Sequence, residues 1–225
     1  MDTQTGSGAE HRPDCCAIIC AYNEAGRVGR VVAVARQCAL FSEVVVVDDG
    51  SRDATASEAE QAGARVVRHE VNRGKSLALQ TGMATTASEL VCFLDADLLN
   101  FSAEHIHQLV EPVLHGQAVA TLGVFRGGRV ATTLAQRITP MISGQRCLKR
   151  ELLDGFDGWD SGFGIEVAIN DFLLRRGVTQ QLVELRGAAQ VMKEEKRGFI
   201  RGAAARTKMF WQILREWTKH RRRLR

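Results

Sequence analysis

Short apolar runs that break off into polar and acidic residues recur along the first hundred positions, and that recurrence leaves few folds open. Cys15-Cys16-Ala17-Ile18-Ile19-Cys20-Ala21 stops at Tyr22-Asn23-Glu24. Glu43-Val44-Val45-Val46-Val47 stops at Asp48-Asp49-Gly50-Ser51, and Leu90-Val91-Cys92-Phe93-Leu94 stops at Asp95-Ala96-Asp97. Apolar runs of this length without alternation suit strands buried on both faces. Between them lie helical patterns. The first covers 25–38, with Val28, Val31, Val32 and Ala35 on one side. A second, capped by Ser51 or Asp53, ends at Gly63, before a third strand over 64–68. Asn72-Arg73-Gly74-Lys75 then leads into a helix over 76–86. Strand and helix in alternation predict a mostly parallel sheet with helices on both faces, an αβα sandwich. Such sheets bind ligands beyond the carboxyl ends of their strands, where all three polar clusters fall.

The rest of the chain continues less regularly. The pattern predicts a helix over 102–114, a strand over 118–125, a turn at 126–129 and, after 137–142, a strand or loop over 143–148. An irregular loop at 155–164, a helix over 165–176 and a strand over 180–185 follow. A long helix over 194–220 carries an aromatic stripe, including Phe210, Trp211 and Trp217, among basic residues. The organisation expected is a flexible arm at 1–13, one α/β catalytic domain at 14–193 and a basic amphipathic helix at 194–225. That helix either packs on the domain or rests on an anionic membrane surface.

Composition narrows the function classes. The net charge is only +4, and much of the surplus lies in the last residues, so a general polyanion-binding surface is not indicated and no nucleic-acid module accompanies the tail. No apolar run reaches the roughly 18 residues that span a bilayer. Six cysteines without a CxxC pair, mostly inside apolar runs, suit reduced buried thiols and a cytoplasmic setting, with membrane association at the inner face as the alternative. No Gly-Lys-Ser/Thr phosphate loop and no GxGxxG follows the first strand.

Two acids one residue apart at a strand end share a face if extension continues, and a hard divalent cation relieves their repulsion. Capping of a following helix explains one isolated pair equally well. The full series decides between them. Ala21-Tyr22-Asn23-Glu24, Asp48-Asp49-Gly50-Ser51, Asn72-Arg73-Gly74-Lys75 and Asp95-Ala96-Asp97, in this order and at these intervals, resemble family 2 glycosyltransferases of the GT-A (nucleotide-diphospho-sugar transferase) fold. The likeness is strong over 15–97 and weaker to about 176. It extends to polyprenyl-phosphate sugar transferases and to related phosphoglycerate-type glycosyltransferases.

The resemblance implies a nucleoside-diphosphate sugar donor and Mn2+ or Mg2+. It assigns Ala21, Tyr22, Asn23, Glu24 and Asp49 to the base and ribose, Lys75 to the diphosphate, and Asp95 and Ala96 to the donor. Asp97 becomes the direct metal ligand, with Asp95 beside it. Glu166, at a helix start after a Gly/aromatic loop, is the acid that contacts or deprotonates the acceptor, and Asp160 is the alternative; a first-turn Glu also stabilises a helix by itself. Gly144, Gln145 and Arg146, with Lys149 and Arg150, match the acceptor side, where an Arg fork suits a phosphate on a lipid or small metabolite. Many relatives carry a late His as a third metal ligand, but no His lies between His115 and His220; Gln190 or Glu194 stands nearby. Most family members invert the anomeric centre, whereas the phosphoglycerate type retains it. A nucleotidyltransferase of similar fold and an inactive sugar-nucleotide sensor are the rival readings. The sequence leaves open whether the chain forms a homodimer.

Overall fold

The structure is a computed structural model that describes residues 14–126, 143–161 and 164–190. The arm 1–13, the residues from 127 to 142 and the helix expected over 194–220 lie outside the described residues.

The first half alternates as its pattern predicts: β1 (Cys15–Ala21), α1 (Val28–Gln37), β2 (Glu43–Asp48), α2 (Thr55–Gln61), β3 (Arg65–Arg68), α3 (Lys75–Thr85) and β4 (Leu90–Asp95). Then come β5 (Leu98–Leu99), α4 (Ala103–Leu114), β6 (Ala120–Arg126), β7 (Arg146–Lys149), α5 (Ile165–Arg175), β8 (Gln181–Arg186) and β9 (Ala189–Gln190). Seven strands form one sheet in the order β3–β2–β1–β4–β7–β6–β8. All are parallel except β7, which runs against both β4 and β6. The mostly parallel αβα architecture expected from the sequence is therefore present.

The continuous apolar runs fill both faces of the sheet. One core joins Ala17, Ile19, Val44, Val46, Cys92 and Leu94 to α1 and α4; the other joins Cys16, Ile18, Val45, Val47, Val91 and Phe93 to α3 and α5. Each fully buried Val or Ile contributes about 1.5–3 kcal/mol of transfer free energy, which fixes the strands in register. Helix α1 buries Val28, Val31, Val32 and Ala35 as its spacing requires. It begins three residues later than its pattern suggests, because the N–H groups of Ala25 and Gly26 donate to Asp53 and Glu58 across the crevice.

The direction of β7 corrects one expectation. Arg146 pairs with Phe93 and Lys149 with Leu90, so the strand descends from the ligand edge toward the amino end of β4. Lys149 and Arg150 consequently sit at the far edge, where Arg150 holds the Thr86 and Glu89 carbonyls, and not beside Arg146 on an acceptor wall. The second surprise is a small ribbon, β5 against β9, with Leu98 opposite Gln190. Two-residue strands have no periodicity to read.

Candidate active site

The loop after β1 is held open by the loop after β2. Successive N–H groups of Asn23, Glu24, Ala25 and Gly26 donate to Ser51 Oγ (2.9 Å), Thr55 Oγ1 (2.8 Å), Asp53 Oδ2 (3.2 Å) and Glu58 Oε2 (2.6 Å). Asn23 Oδ1 accepts the Arg52 N–H in return, and Asn23 takes φ +54°, a left-handed conformation that Asn tolerates. Glu24 is buried and receives the Arg27 guanidinium at 2.8 Å. Tyr22 is exposed at the rim, while Ala21 is buried and accepts the Asp49 N–H.

Asp49 has become the keystone of the next loop. Its Oδ1 accepts from His69 Nδ1 (2.8 Å) and the Arg73 N–H (2.9 Å), and its Oδ2 from Asn72 Nδ2 and the Gly74 N–H (both 2.8 Å). Four donors occupy the sites that two carboxylate oxygens offer. His69 also meets Thr81 on α3 at 2.9 Å, which ties the arrangement to the helix that begins at Lys75. Gly50 permits this closeness: with φ +75°, its Cβ would lie 2.6 Å from the Val71 carbonyl carbon. The carboxylate assigned by resemblance to a nucleotide thus stabilises the loop that carries Lys75.

Beyond β4 the acids converge by a different route from continued extension. The strand ends at Asp95, and Ala96 and Asp97 form a turn in which Ala96 faces the core. Both acids are buried, and the Gln190 amide from β9 touches each of them, donating Nε2 to Asp95 Oδ2 (2.8 Å) and to Asp97 Oδ1 (3.0 Å). Asp95 Oδ2 also accepts from Gln145 Nε2 at 2.5 Å. Lys75 Nζ bridges Asp95 Oδ1 (2.5 Å) and Glu166 Oε1 (2.6 Å). Burial disfavours the ammonium, but the charges of Asp95 and Glu166 outweigh it and hold Lys75 above lysine's usual range. One charged trio therefore joins α3, β4 and the first turn of α5.

The segment 143–146 supports this trio from behind. Gly144 packs so closely that a Cβ there would meet both Asp95 oxygens and Lys75 Nζ within 2.8 Å. Gln145 is fully buried. Arg146 requires a correction: it is only 1% exposed, and its guanidinium bonds Asn170 on α5 (3.0 Å) and the Ser143 carbonyl (2.9 Å). Burial pulls it down to about 10, against the charges of Glu166 and Asp95. A buried Arg at a strand start cannot be told from a solvent-facing fork until the strand's partners are known. Asp160 is exposed on a short 3-10 turn, and the adjacent Ser161 hydroxyl lies 3.3 Å from that of Ser76 on α3.

The sequence alone gives His69 no role and Asn72 no partner, and it sets Gln190 near the metal without its contact to both acids. His69 directly follows β3, so a polar residue at yet another strand end was the available signal. Asp95 and Asp97 are the carboxylates able to hold a cation, since one amide nitrogen already touches both. Among the described residues no set of three His, Cys, Asp or Glu side chains converges for a metal.

Comparison with known proteins supplies the family. Glucosyl-3-phosphoglycerate synthase of Mycobacterium tuberculosis is 30% identical over 165 residues, covering 58% of this chain and 51% of the relative. Undecaprenyl-phosphate 4-deoxy-4-formamido-L-arabinose transferase of Edwardsiella ictaluri is 33% identical over 149 residues, covering 61% of this chain and 45% of the relative. The chain spans about half the length of the curated relatives it matches. A crystal structure of the M. tuberculosis synthase with Mn2+, UDP and glucosyl-3-phosphoglycerate superposes with a TM-score of 0.65 at 28% identity, over 80% of this chain and 72% of that one. A structure of the same synthase with Mn2+, UDP-glucose and glycerol 3-phosphate gives 0.66 at 26% identity, over 80% and 72%. The description Glycosyl transferase family 2 fits residues 16–174, most of the chain, and the chain belongs to that family.

Proposed function

We propose that this chain transfers a sugar from a nucleoside-diphosphate sugar to a phosphate-bearing acceptor, with a divalent cation, Mn2+ or Mg2+, at Asp97 and Asp95. The observation that carries the reading is the meeting of Lys75, Asp95, Asp97 and Glu166 at the carboxyl edge of the sheet. The donor set fits the ion: two carboxylates within reach of a single atom are hard oxygen ligands suited to Mg2+ or Mn2+. Bound there, the cation would neutralise charge on the departing nucleoside diphosphate.

The chain's own residues supply the rest. The loop 21–24, clamped by Ser51 and Thr55, offers a rigid ledge for base and ribose, with Glu24 as the hydroxyl acceptor. Lys75, in the first turn of α3, meets the diphosphate, and the helix N-terminus adds to its attraction. Drawing Lys75 onto phosphate loosens its pairing with Glu166, which then receives the acceptor hydroxyl. Asp49 serves by holding Gly74 and so placing Lys75. The phosphate on the acceptor is supported by the relatives, one crystallised with glycerol 3-phosphate and another named for undecaprenyl phosphate. No described helix is long and apolar enough to cross a membrane, and all six cysteines are free thiols, as suits a cytoplasmic enzyme.

A thermal-shift screen of UDP-, GDP-, ADP- and TDP-glucose, each with and without Mn2+, tests the donor. A ligand at about 100 times its Kd adds about 2.7 kcal/mol to the native state, a readily visible shift. One donor should stand out and need the cation; no shift with any donor would overturn the reading. Glu166→Gln should lower turnover by about a hundredfold or more while leaving that shift in place.

A further inference from the structure

Gln190 is placed by backbone as well as by side chain. The β5–β9 ribbon sets Leu98 opposite Gln190 and Leu99 opposite Ala189, so Gln190 lies across from the residue that directly follows Asp97. From there its Nε2 donates to Asp95 Oδ2 at 2.8 Å and Asp97 Oδ1 at 3.0 Å. A primary amide carries a donor and an acceptor on one planar carbon, and its last torsion is soft. Between two carboxylates without a cation, the NH2 end is the favourable one. With a cation between them, the NH2 end is repelled and the carbonyl end attracted.

We propose that Gln190 is a ligand of the divalent cation, presenting Oε1 after its amide turns over. It contributes a neutral oxygen where an acid or imidazole would bring charge or nitrogen. The inference rests on the cation site of the proposed function and goes beyond it in naming the ligand and its consequence. Among the described residues the oxygens that can meet one cation here are the two carboxylates and this amide. Fewer charged ligands weaken a site for hard cations. An all-oxygen set also lacks the imidazole that suits later first-row metals, so Mg2+ and Mn2+ are held with little discrimination.

Direct binding measurements test this without any assay of turnover. Free Mn2+ is followed by electron paramagnetic resonance during titration into the protein with UDP present, and Mg2+ is then used as competitor. Gln190→Ala should weaken both cations by at least about tenfold. Gln190→Glu should tighten both, and Gln190→His should raise the preference for Mn2+ over Mg2+. The two replacements that keep a ligating atom guard against a mere folding defect, since loss of fold would weaken all three variants alike. Mn2+ bound by Gln190→Ala as tightly as by the parent would overturn the inference, because the amide would then only fill the gap until displaced. That result leaves the cation site itself standing. A parent that binds neither cation with UDP removes the site, and the inference falls with it.

Discussion

The ends of β2 and β4 look alike in sequence, an apolar strand running into paired acids, yet the two are held by different kinds of partner. Asp49, beyond β2, accepts four hydrogen bonds, two of them from the backbone of Arg73 and Gly74. Backbone donors within a folded loop cannot leave without unfolding it. Asp95, at the end of β4, accepts from Lys75, Gln145 and Gln190, and Asp97 also accepts from Gln190. Lys75 and Gln190 are side-chain ends, able to swing toward a phosphate or a cation at the cost of a torsion. The contrast between the anchor and the proposed cation site therefore lies in whether these donors are free to move.

The sharpest way to break the contrast is to neutralise one acid at each end. Asp97→Asn keeps the volume and the acceptor for Gln190 but removes the charge a cation requires. Turnover should fall by about a thousandfold, since Lewis-acid help to a leaving group is worth several kcal/mol. The melting temperature should hold or rise slightly, because repulsion between Asp95 and Asp97 is relieved. Calorimetry of nucleoside diphosphate with and without Mn2+ checks the cause: cation-dependent affinity should vanish. Equal cation dependence in variant and parent would move Asp97 out of the site.

Asp49→Asn should show the reverse. An amide there turns an NH2 group toward donors that need an acceptor, leaving at least one buried N–H without a partner. Such losses cost about 2–3 kcal/mol, and more where the hydrogen bonds were to a charge. For a domain of this size that is a fall of roughly 5–10 °C in Tm. Turnover per folded molecule should change less than in Asp97→Asn, with a raised KM for donor as Lys75 loses its fixed start. A variant as stable as the parent would show that Asp49 is not the anchor.

The same contrast explains what the sequence could and could not disclose. Strands β1, β2 and β4 were legible because burial on both faces needs unbroken apolar runs, and their polar ends followed from parallel direction. The direction of β7 is not legible: Cys147 and Leu148 are equally apolar read either way, so the sequence sets Lys149 and Arg150 beside Arg146 on the acceptor side, whereas the strand carries them to the far edge. Glu166 and Lys75 could be named separately, but their meeting depends on how α3 and α5 pack on one face of the sheet. The tie of Asp49 to His69 and Asn72 spans 20 and 23 residues of chain and a parallel strand pair, and nothing local to Asp49 announces it.

The smallest effect belongs to a third acid, which carries the anchor's chemistry to the exposed amino edge. Asp14 precedes β1 and accepts from the Ser88 hydroxyl (2.8 Å) and the Glu89 N–H (3.1 Å), fixing the start of β4. The Ser88 hydrogen bond is foremost in holding its carboxyl below the ordinary value, with the Glu89 N–H second. A carboxylate depressed on folding stabilises above its unfolded value, and that stability is lost as pH falls through the lower folded one. Water screens this exposed group, so Asp14→Asn should cost only about 0.5 kcal/mol at neutral pH. Urea unfolding of parent and variant, at pH 7 and again near pH 3, reads the gap directly. It should be present at pH 7 and narrow in acid as Asp14 in the parent becomes protonated. A gap that stays constant with pH would assign the loss to geometry instead of charge, and the anchor reading would then hold for Asp49 alone.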